Sequence, residues 1–447
     1  MQKNCLLILI CVLSSAVARA DTNAGVALGA LPLTTALISQ LADEMRTNHP
    51  ALRSMDARTR AASAGAAAVR TWEDPMVRLG SQVAETAMRA DEGDLIYGVE
   101  QKLPLFGKPQ ALRRAAQAEI AVERAGTAYQ FQQLRRELAQ ALFKTALADR
   151  VVQVGEQDRG WLETIVAATD AKYRVGQASL AELVQVQNEF AKRTNQLRTD
   201  LRLGDNARAI VNRLLNRDLE SPWPRLELPP LAAPVPFSPL LVDLALRHEP
   251  KTKVLREQVK QSEAMVEVAR RQRYPDVAVD LEGRNYTGRG DFRQGMFLLN
   301  VSLPWGNRGK YRKDMEREQE RASAARFEVA DQELSVRQEV LQLTIAIDAA
   351  RREAVLYRDE ILPRTEQALA SAKADWETSR RPLRDLLDAY RMLLEARLMS
   401  ARAVAEQWQM LAELVLCCGL GELDALFVIG VITDAATPAP VVNPPAK

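Results

Sequence analysis

The sequence predicts a mainly α-helical, internally duplicated and elongated chain that carries a small portion of amphipathic β-strand. Three observations lead there. Landmark residues recur about 200 positions apart, helical runs sustain a coiled-coil seam far beyond the length of a compact domain, and four short runs alternate between apolar and polar side chains.

The 447 residues are 47% hydrophobic but only 5% aromatic, enough for two or three ordinary domains or one very long one. Residues 1–20 read as an export signal: Lys3, an apolar run from Leu6 to Leu13 too short to span a bilayer, then Ala18-Arg19-Ala20 as a cleavage site. Asp21 is the expected mature start. Losing Lys3 and Arg19 brings the formal net charge from +2 to about zero, which speaks against a strongly basic nucleic-acid surface. Ile10 before Cys11, where lipidation needs a small residue, argues against a lipid anchor. Cys417 and Cys418 then remain as adjacent helical neighbours that point apart, so no disulfide between them is expected.

The duplication orders everything else. Pro50, Pro75 and Pro104 return as Pro250, Pro275 and Pro304, while Gly160 meets Pro363 and Leu180 meets Leu383 after a drift of three residues. The first repeat, 21–220, holds a helical run over 33–71, a β-hairpin at about 75–103 and a helical hairpin at about 109–217. SPWPRLELPPLAAPVPFSP, 221–239, reads as an extended linker. The second repeat, 240–425, gives a helical run over 240–272, a hairpin at about 275–304 and a helical hairpin at about 310–420. The tail, 426–447, is expected to be disordered.

From Pro109 to Tyr173 no further proline interrupts, which at 1.5 Å per residue is about 100 Å of helix. Phe131, Leu134, Leu138, Ala141, Thr145, Ala148 and Val152 alternate in steps of three and four, and Val336, Val340, Leu343, Ile347, Ala350 and Ala354 continue the pattern in the second repeat. In the strand-like runs Val277, Val279 and Leu281 oppose Asp280, Glu282 and Arg284, and Phe297, Leu299, Val301 and Leu303 oppose Asn300 and Ser302. The first repeat sets Val77, Leu79 and Val83 against Arg78 and Gln82, then Leu95, Tyr97 and Val99 against Glu100 and Lys102. Such alternation fits a sheet half-buried on a soluble core and also fits tilted strands crossing a bilayer. Four strands cannot close a membrane barrel, so the second reading requires several chains.

Two strand-to-helix junctions, Leu103-Pro104 with Gly107-Lys108 and Leu303-Pro304 with Gly309-Lys310, and two hairpin tips, YRVGQASLAELVQVQ at 173–187 and WETSRRPLRDLLDAYRMLLEAR at 376–397, carry a resemblance. With the ILP at 361–363 they resemble the TolC-like outer-membrane factors along most of the chain, from about 33 to 425. The wording LPLFGK and ILPRTEQAL is most similar to the branch that serves heavy-metal exporters of the CusC and CzcC type. The resemblance implies a homotrimer whose twelve strands share one β-barrel in outer-membrane lipid above a periplasmic α-helical barrel. It implies an exit duct of a tripartite pump, with a periplasmic adaptor (membrane fusion protein) and an inner-membrane RND pump as partners. Ducts for multidrug efflux or type I protein secretion share this build, and outside that class stand a soluble periplasmic coiled-coil scaffold and a self-contained porin.

The family often carries a D-x-x-D-A at the periplasmic end, matched here by Asp385 and Asp388 before Ala389, so the resemblance implies an acidic ring at a pore constriction. Carboxylates converging on a narrow pore attract cations and repel each other; in the plainer reading they are solvated acids in a first helical turn. Arg381 supplies a cation for a gate lock, whereas Trp376 and Ser379 depart from the family's tyrosine and glycine. The tips that the resemblance assigns to adaptor contact comprise Tyr173, Arg174, Val175, Gly176, Gln177, Ala178 and Ser179, and Ser379, Arg380, Arg381 and Pro382. In the first tip Gly176 suits the turn and Ser179 suits a cap on the return helix. His49 and His248, the only histidines, sit beside Pro50 and Pro250 as equivalent repeat positions; they assemble neither a nucleophile–base pair nor a zinc cluster in each copy. No phosphate-loop motif is present. No enzyme, cofactor or resident metal is expected, and Cys417, Cys418 and the methionines 296, 392, 399 and 410 read as packing residues.

Overall fold

The computed structural model describes residues 30–81, 95–285, 290–421 and 423–426. The expected export signal lies outside them, as do Gln82, Val83 and the tail beyond Leu426. Leu426, expected to open the disordered tail, is instead buried in the main core.

The chain begins with β1 (Leu31–Pro32), α1 (Thr35–Asn48) and α2 (Pro50–Ala68). β2 (Met76–Ser81) and β3 (Leu95–Lys102) pair antiparallel. α3 (Lys108–Arg174) then runs unbroken for 67 residues, about 100 Å, and α4 (Leu180–Leu215) returns along it. After β4 (Leu226–Glu227) the order repeats with α5 (Pro239–His248), α6 (Pro250–Gln272), β5 (Val277–Asn285), β6 (Phe292–Val301), α7 (Arg308–Leu356), α8 (Leu362–Glu377) and α9 (Leu383–Cys417).

Each helical run that precedes the strands is broken by its proline, because a proline pushes the residue before it out of helical geometry. His49 and Glu249 accordingly have ψ near 125° and cap the helices that follow: His49 Nδ1 accepts the Ala51 N–H at 3.2 Å, and the Glu249 carboxylate accepts that of Thr252. The counterpart of His49 is therefore Glu249. His248, which the sequence reading had paired with His49, is the last residue of α5.

The expected seams are the packed faces. Leu134, Leu138, Ala141, Thr145 and Val152 are buried on α3, and all six second-repeat positions from Val336 to Ala354 are buried on α7. Of these, Leu134, Leu138 and Ala141 on α3 and Val336, Val340, Leu343 and Ile347 on α7 join residues of α1, α4, α5 and α9 in the main core. Over 221–238 the chain carries only the short β4 and is otherwise irregular, and it is strapped to the helices. Leu31 pairs in parallel with Leu226, whose N–H goes to Asp149 Oδ2 at 2.8 Å. Gln407 exchanges two hydrogen bonds with the Ala232 backbone, and Trp408 Nε1 donates to Pro230 O at 3.0 Å.

The descending helices differ between the repeats. Where α3 runs through Gly160, the second descending helix widens into a π turn at Tyr357–Ile361 between α7 and α8. Pro363 lacks an N–H and its ring would crowd the carbonyl four residues back, and a wider turn accommodates both.

Candidate functional site

β2, β3, β5 and β6 form one antiparallel sheet in that order, leaving one edge of β2 and one of β6 without a partner strand among the described residues. Cross-strand register lines up Val77, Val99, Leu281 and Phe297 on one face, where they are 66, 45, 58 and 68% exposed. The opposite face carries matched charge: Arg78 reaches Glu100 at 3.0 Å and also Asp280, and Arg284 reaches Glu282 at 3.0 Å. Asp280 is only 2% exposed. Gly98 stands directly across from Arg78, and its missing side chain leaves the arginine's path to Asp280 open. A sheet half-buried on a soluble core would place these faces the other way round. No helix among the described residues is long and apolar enough to cross a membrane.

At the first junction Leu103 donates to Val277 O at 2.8 Å, extending the ladder by one bond. Phe106 and Gly107 then turn the chain with φ of 58° and 71°, and the Phe106 ring stacks on Tyr274 at 5.4 Å. Lys108 opens α3 and pairs with Asp276 at 2.6 Å. The second junction is built differently. Pro304 to Asn307 wind into a 3₁₀ turn and α7 starts at Arg308, so Gly309 and Lys310 already lie within its first turn. The true counterparts of Gly107 and Lys108 are Asn307 and Arg308; a 3₁₀ turn needs no left-handed residue, which removes the reason for a glycine.

The first tip turns at Gly176, φ 71°, after Tyr173, Arg174 and Val175. Ser179 and Glu182 then form a reciprocal capping box at the start of α4, leaving Gln177 and Ala178 in the turn. The second tip is less well braced. Ser379 takes φ 58° without being glycine, Arg380 and Arg381 follow, and Pro382 precedes α9 without a side-chain cap. Arg381 pairs with Asp375 at 3.2 Å, inside its own hairpin. Trp376 is buried, with Lys172 4.3 Å above its ring and bonded to its carbonyl at 2.5 Å. In α9 Leu383, Leu386, Leu387 and Ala389 are buried, so Asp385 and Asp388 share the outward face. Asp385 makes no ion pair among the described residues, whereas Asp388 meets Arg391 at 2.9 Å and Arg384 at 3.7 Å.

Behind this face lies a charged contact that the sequence reading missed. Asp158 of α3, 2% exposed, pairs with Arg193 of α4 and neighbours Tyr390 of α9, whose ring stacks on Trp161. Burial raises the Asp158 carboxyl above its ordinary range despite Arg193, and burial also raises the Tyr390 hydroxyl. Arg391 completes the link by reaching Glu189 of α4 at 2.6 Å. Each contact joins two different helices, so no spacing within one segment announces the group.

Cys417 and Cys418 are buried and unbonded; burial raises both thiols, Cys418 to about 12, so they stay protonated. No group of three or more potential metal ligands occurs among the described residues.

Comparison with known proteins agrees with this geometry. The family model of outer membrane efflux proteins matches residues 41–217 and 241–420. The cobalt-zinc-cadmium resistance protein CzcC of Cupriavidus metallidurans is 24% identical over 178 residues, 40% of this chain and 42% of that protein. The fold is that of the outer membrane protein VceC from Vibrio cholerae (TM-score 0.73, 18% identity, covering 86% of this chain and 97% of that one). CusC, which forms a transmembrane channel, superposes equally well (TM-score 0.73, 16% identity, 86% and 92% covered). With both repeats matched, the chain belongs to the outer membrane efflux protein family, and its fold is that of the TolC-like channels.

Proposed function

We propose that the protein is the exit duct of a tripartite RND-type efflux pump and passively conducts heavy-metal cations across the periplasm and outer membrane. Three chains would close their four-stranded sheets into one twelve-strand barrel, with the exposed apolar face toward lipid. The observation that carries this reading is the inverted sheet: apolar side chains outward, ion pairs inward, and an open strand edge on each side. An edge exposed in a single chain is satisfied when the next copy pairs with it. The cation preference draws on the outward carboxylates and on the partial likeness to CzcC. Under the same reading, the two tips meet the periplasmic adaptor.

Asp385 bears an uncompensated charge, while Asp388 is balanced by Arg384 and Arg391, so the two carboxylates contribute unequally to an acidic constriction. In planar bilayers Asp385→Ala lowers the cation-to-anion permeability ratio by about tenfold, the low end of field focusing in a charged cleft. Asp388→Ala lowers it less, and unchanged selectivity in the double variant would remove the ring. A deletion strain loses resistance to zinc, cobalt, cadmium or copper; loss of drug resistance alone would transfer the duct to another pump class.

A further inference from the structure

We propose that Arg273, Arg308 and Arg312, grouped around Trp305 at the second strand-to-helix junction, bind the phosphate of an anionic glycerophospholipid in the leaflet that borders the helices. The proposal rests on the reading that the strands cross the outer membrane. Along one face of β6 the exposed residues are Phe297, Leu299 and Val301; past the strand Leu303 and, in the 3₁₀ turn, Trp305 are also exposed, 59 and 51%. Apolar side chains thus lead to an indole, the residue that favours the boundary between acyl chains and headgroups. The arginines begin three residues later, at the height where phosphates would lie.

The arrangement borders a half-open cleft. A cavity of about 630 Å³ is lined by Arg273 at the end of α6, by Trp305, and by Arg308, Tyr311, Arg312 and Met315 on the first turns of α7. That volume lies within the range of small-molecule sites. Arg308 and Arg312 stand four apart and so share a helix face. None of the three arginines forms an ion pair among the described residues, and Arg273 merely lies over the Tyr274 ring at 5.6 Å. Of the acids close by, Asp314 pairs with Arg317 at 3.2 Å and Glu316 with Lys313 at 2.6 Å, with Arg312 acting on Glu316 only through its field and no ion pair. At the first junction the corresponding cation, Lys108, is consumed by Asp276. Three unmatched guanidiniums beside an apolar face and an interfacial tryptophan complement one kind of ligand: a phosphodiester with acyl chains. Guanidinium also suits phosphate geometrically, through paired N–H donors.

The test compares the full-length detergent-purified protein with the triple variant Arg273→Gln, Arg308→Gln, Arg312→Gln. A control variant replaces the exposed arginines Arg60, Arg124 and Arg337 with glutamine. Native mass spectrometry counts bound phosphatidylglycerol and phosphatidylcholine, with and without inorganic phosphate. We expect the wild type and the control to retain phosphatidylglycerol over phosphatidylcholine, and the triple variant to lose that preference by about fivefold per arginine. Equal phosphatidylglycerol binding by wild type and triple variant overturns the site. Complete displacement by inorganic phosphate would assign the pocket to a free anion instead. Loss of trimers in the triple variant, with lipid preference intact in the remaining trimers, would assign the arginines to acids of a second copy of this chain. A protein that forms no detergent-extracted membrane species at all would instead overturn the membrane reading beneath the proposal.

Discussion

The two helical hairpins of this chain come from one duplicated plan but are held with unequal firmness. The first has an unbroken α3, a glycine turn at Gly176 and a complete capping box at Ser179. The second has a π turn ahead of Pro363, a serine in left-handed geometry at Ser379, and an α9 that starts without a side-chain cap. The outward carboxylates sit on the second. The acidic face thus lies on the hairpin whose turn and helix start have the less favourable local geometry. Strain of this sort persists only where the surroundings over-determine it. Here the bracing comes from the first hairpin, through Asp158–Arg193 behind Tyr390 and through Glu189–Arg391.

The sharpest contrast is at the ends of the return helices. α4 closes with Asn216 in left-handed geometry, φ 56°, and α9 is followed by Gly419, φ 61°. A Cβ at Gly419 would come within 2.0 Å of the His248 carbonyl oxygen, so the end of α5 occupies the space a side chain needs. Gly419→Ala therefore costs about 4–5 kcal/mol, read as lost thermal stability of the purified protein. Asn216→Gly, by contrast, changes stability by only a few tenths. Equal effects at both sites would mean that the two closures are equivalent after all.

The ion pair inside the first hairpin, which Tyr390 of the second neighbours, is the next place to press. Asp158→Ala leaves Arg193 buried without its partner and costs about 3–4 kcal/mol. Asp158→Asn separates charge from shape. Because burial raises the folded pKa of Asp158 above its ordinary 3.8, the stability it contributes is full below about that pH and is lost as pH rises through the folded value. The asparagine variant should flatten the melting-temperature profile in the window just above pH 3.8, and an unchanged profile would show that Asp158 does not titrate there.

Interchanging the breakers tests the π turn. Gly160→Pro, in the middle of α3, costs about 3 kcal/mol because it removes a helical hydrogen bond without a widened turn to receive the ring. Pro363→Ala leaves stability unchanged or raises it by about 1 kcal/mol, since an alanine fits either geometry. Hydrogen exchange across 355–365 reads whether the wide turn relaxes to regular helix.

Much of this architecture was legible because its causes are local. Seam residues such as Leu138 and Ile347 repeat at helical spacing, and Val77, Leu281 and Phe297 alternate at strand spacing, so the sequence alone predicts both element types. What escaped depends on contacts between distant segments. That Glu249 and not His248 answers His49 follows from cap geometry, and the docking of the linker follows from Asp149, Gln407 and Trp408, far away in the chain. The replacement of a glycine turn by a 3₁₀ turn at Pro304 hid behind matching letters, Gly309-Lys310, that fall two positions too late. At the second tip the D-x-x-D-A spacing revealed the shared face of Asp385 and Asp388, but not that Arg384 and Arg391 would neutralise one of them.

The smallest expected effect concerns the tips themselves. Ser379 and Gly176 occupy the same kind of left-handed position, and only glycine does so without a steric penalty. Ser379→Gly should stabilise the second hairpin by up to about 1 kcal/mol, and Gly176→Ser should weaken the first by a similar amount. Nothing lies within 4 Å of where a Cβ on Gly176 would stand, so the second change measures backbone strain alone. If relief at Ser379 also lengthens the closed times of single channels, the strain at the second tip favours opening. If stability rises while the closed times are unchanged, the strain belongs to the turn alone.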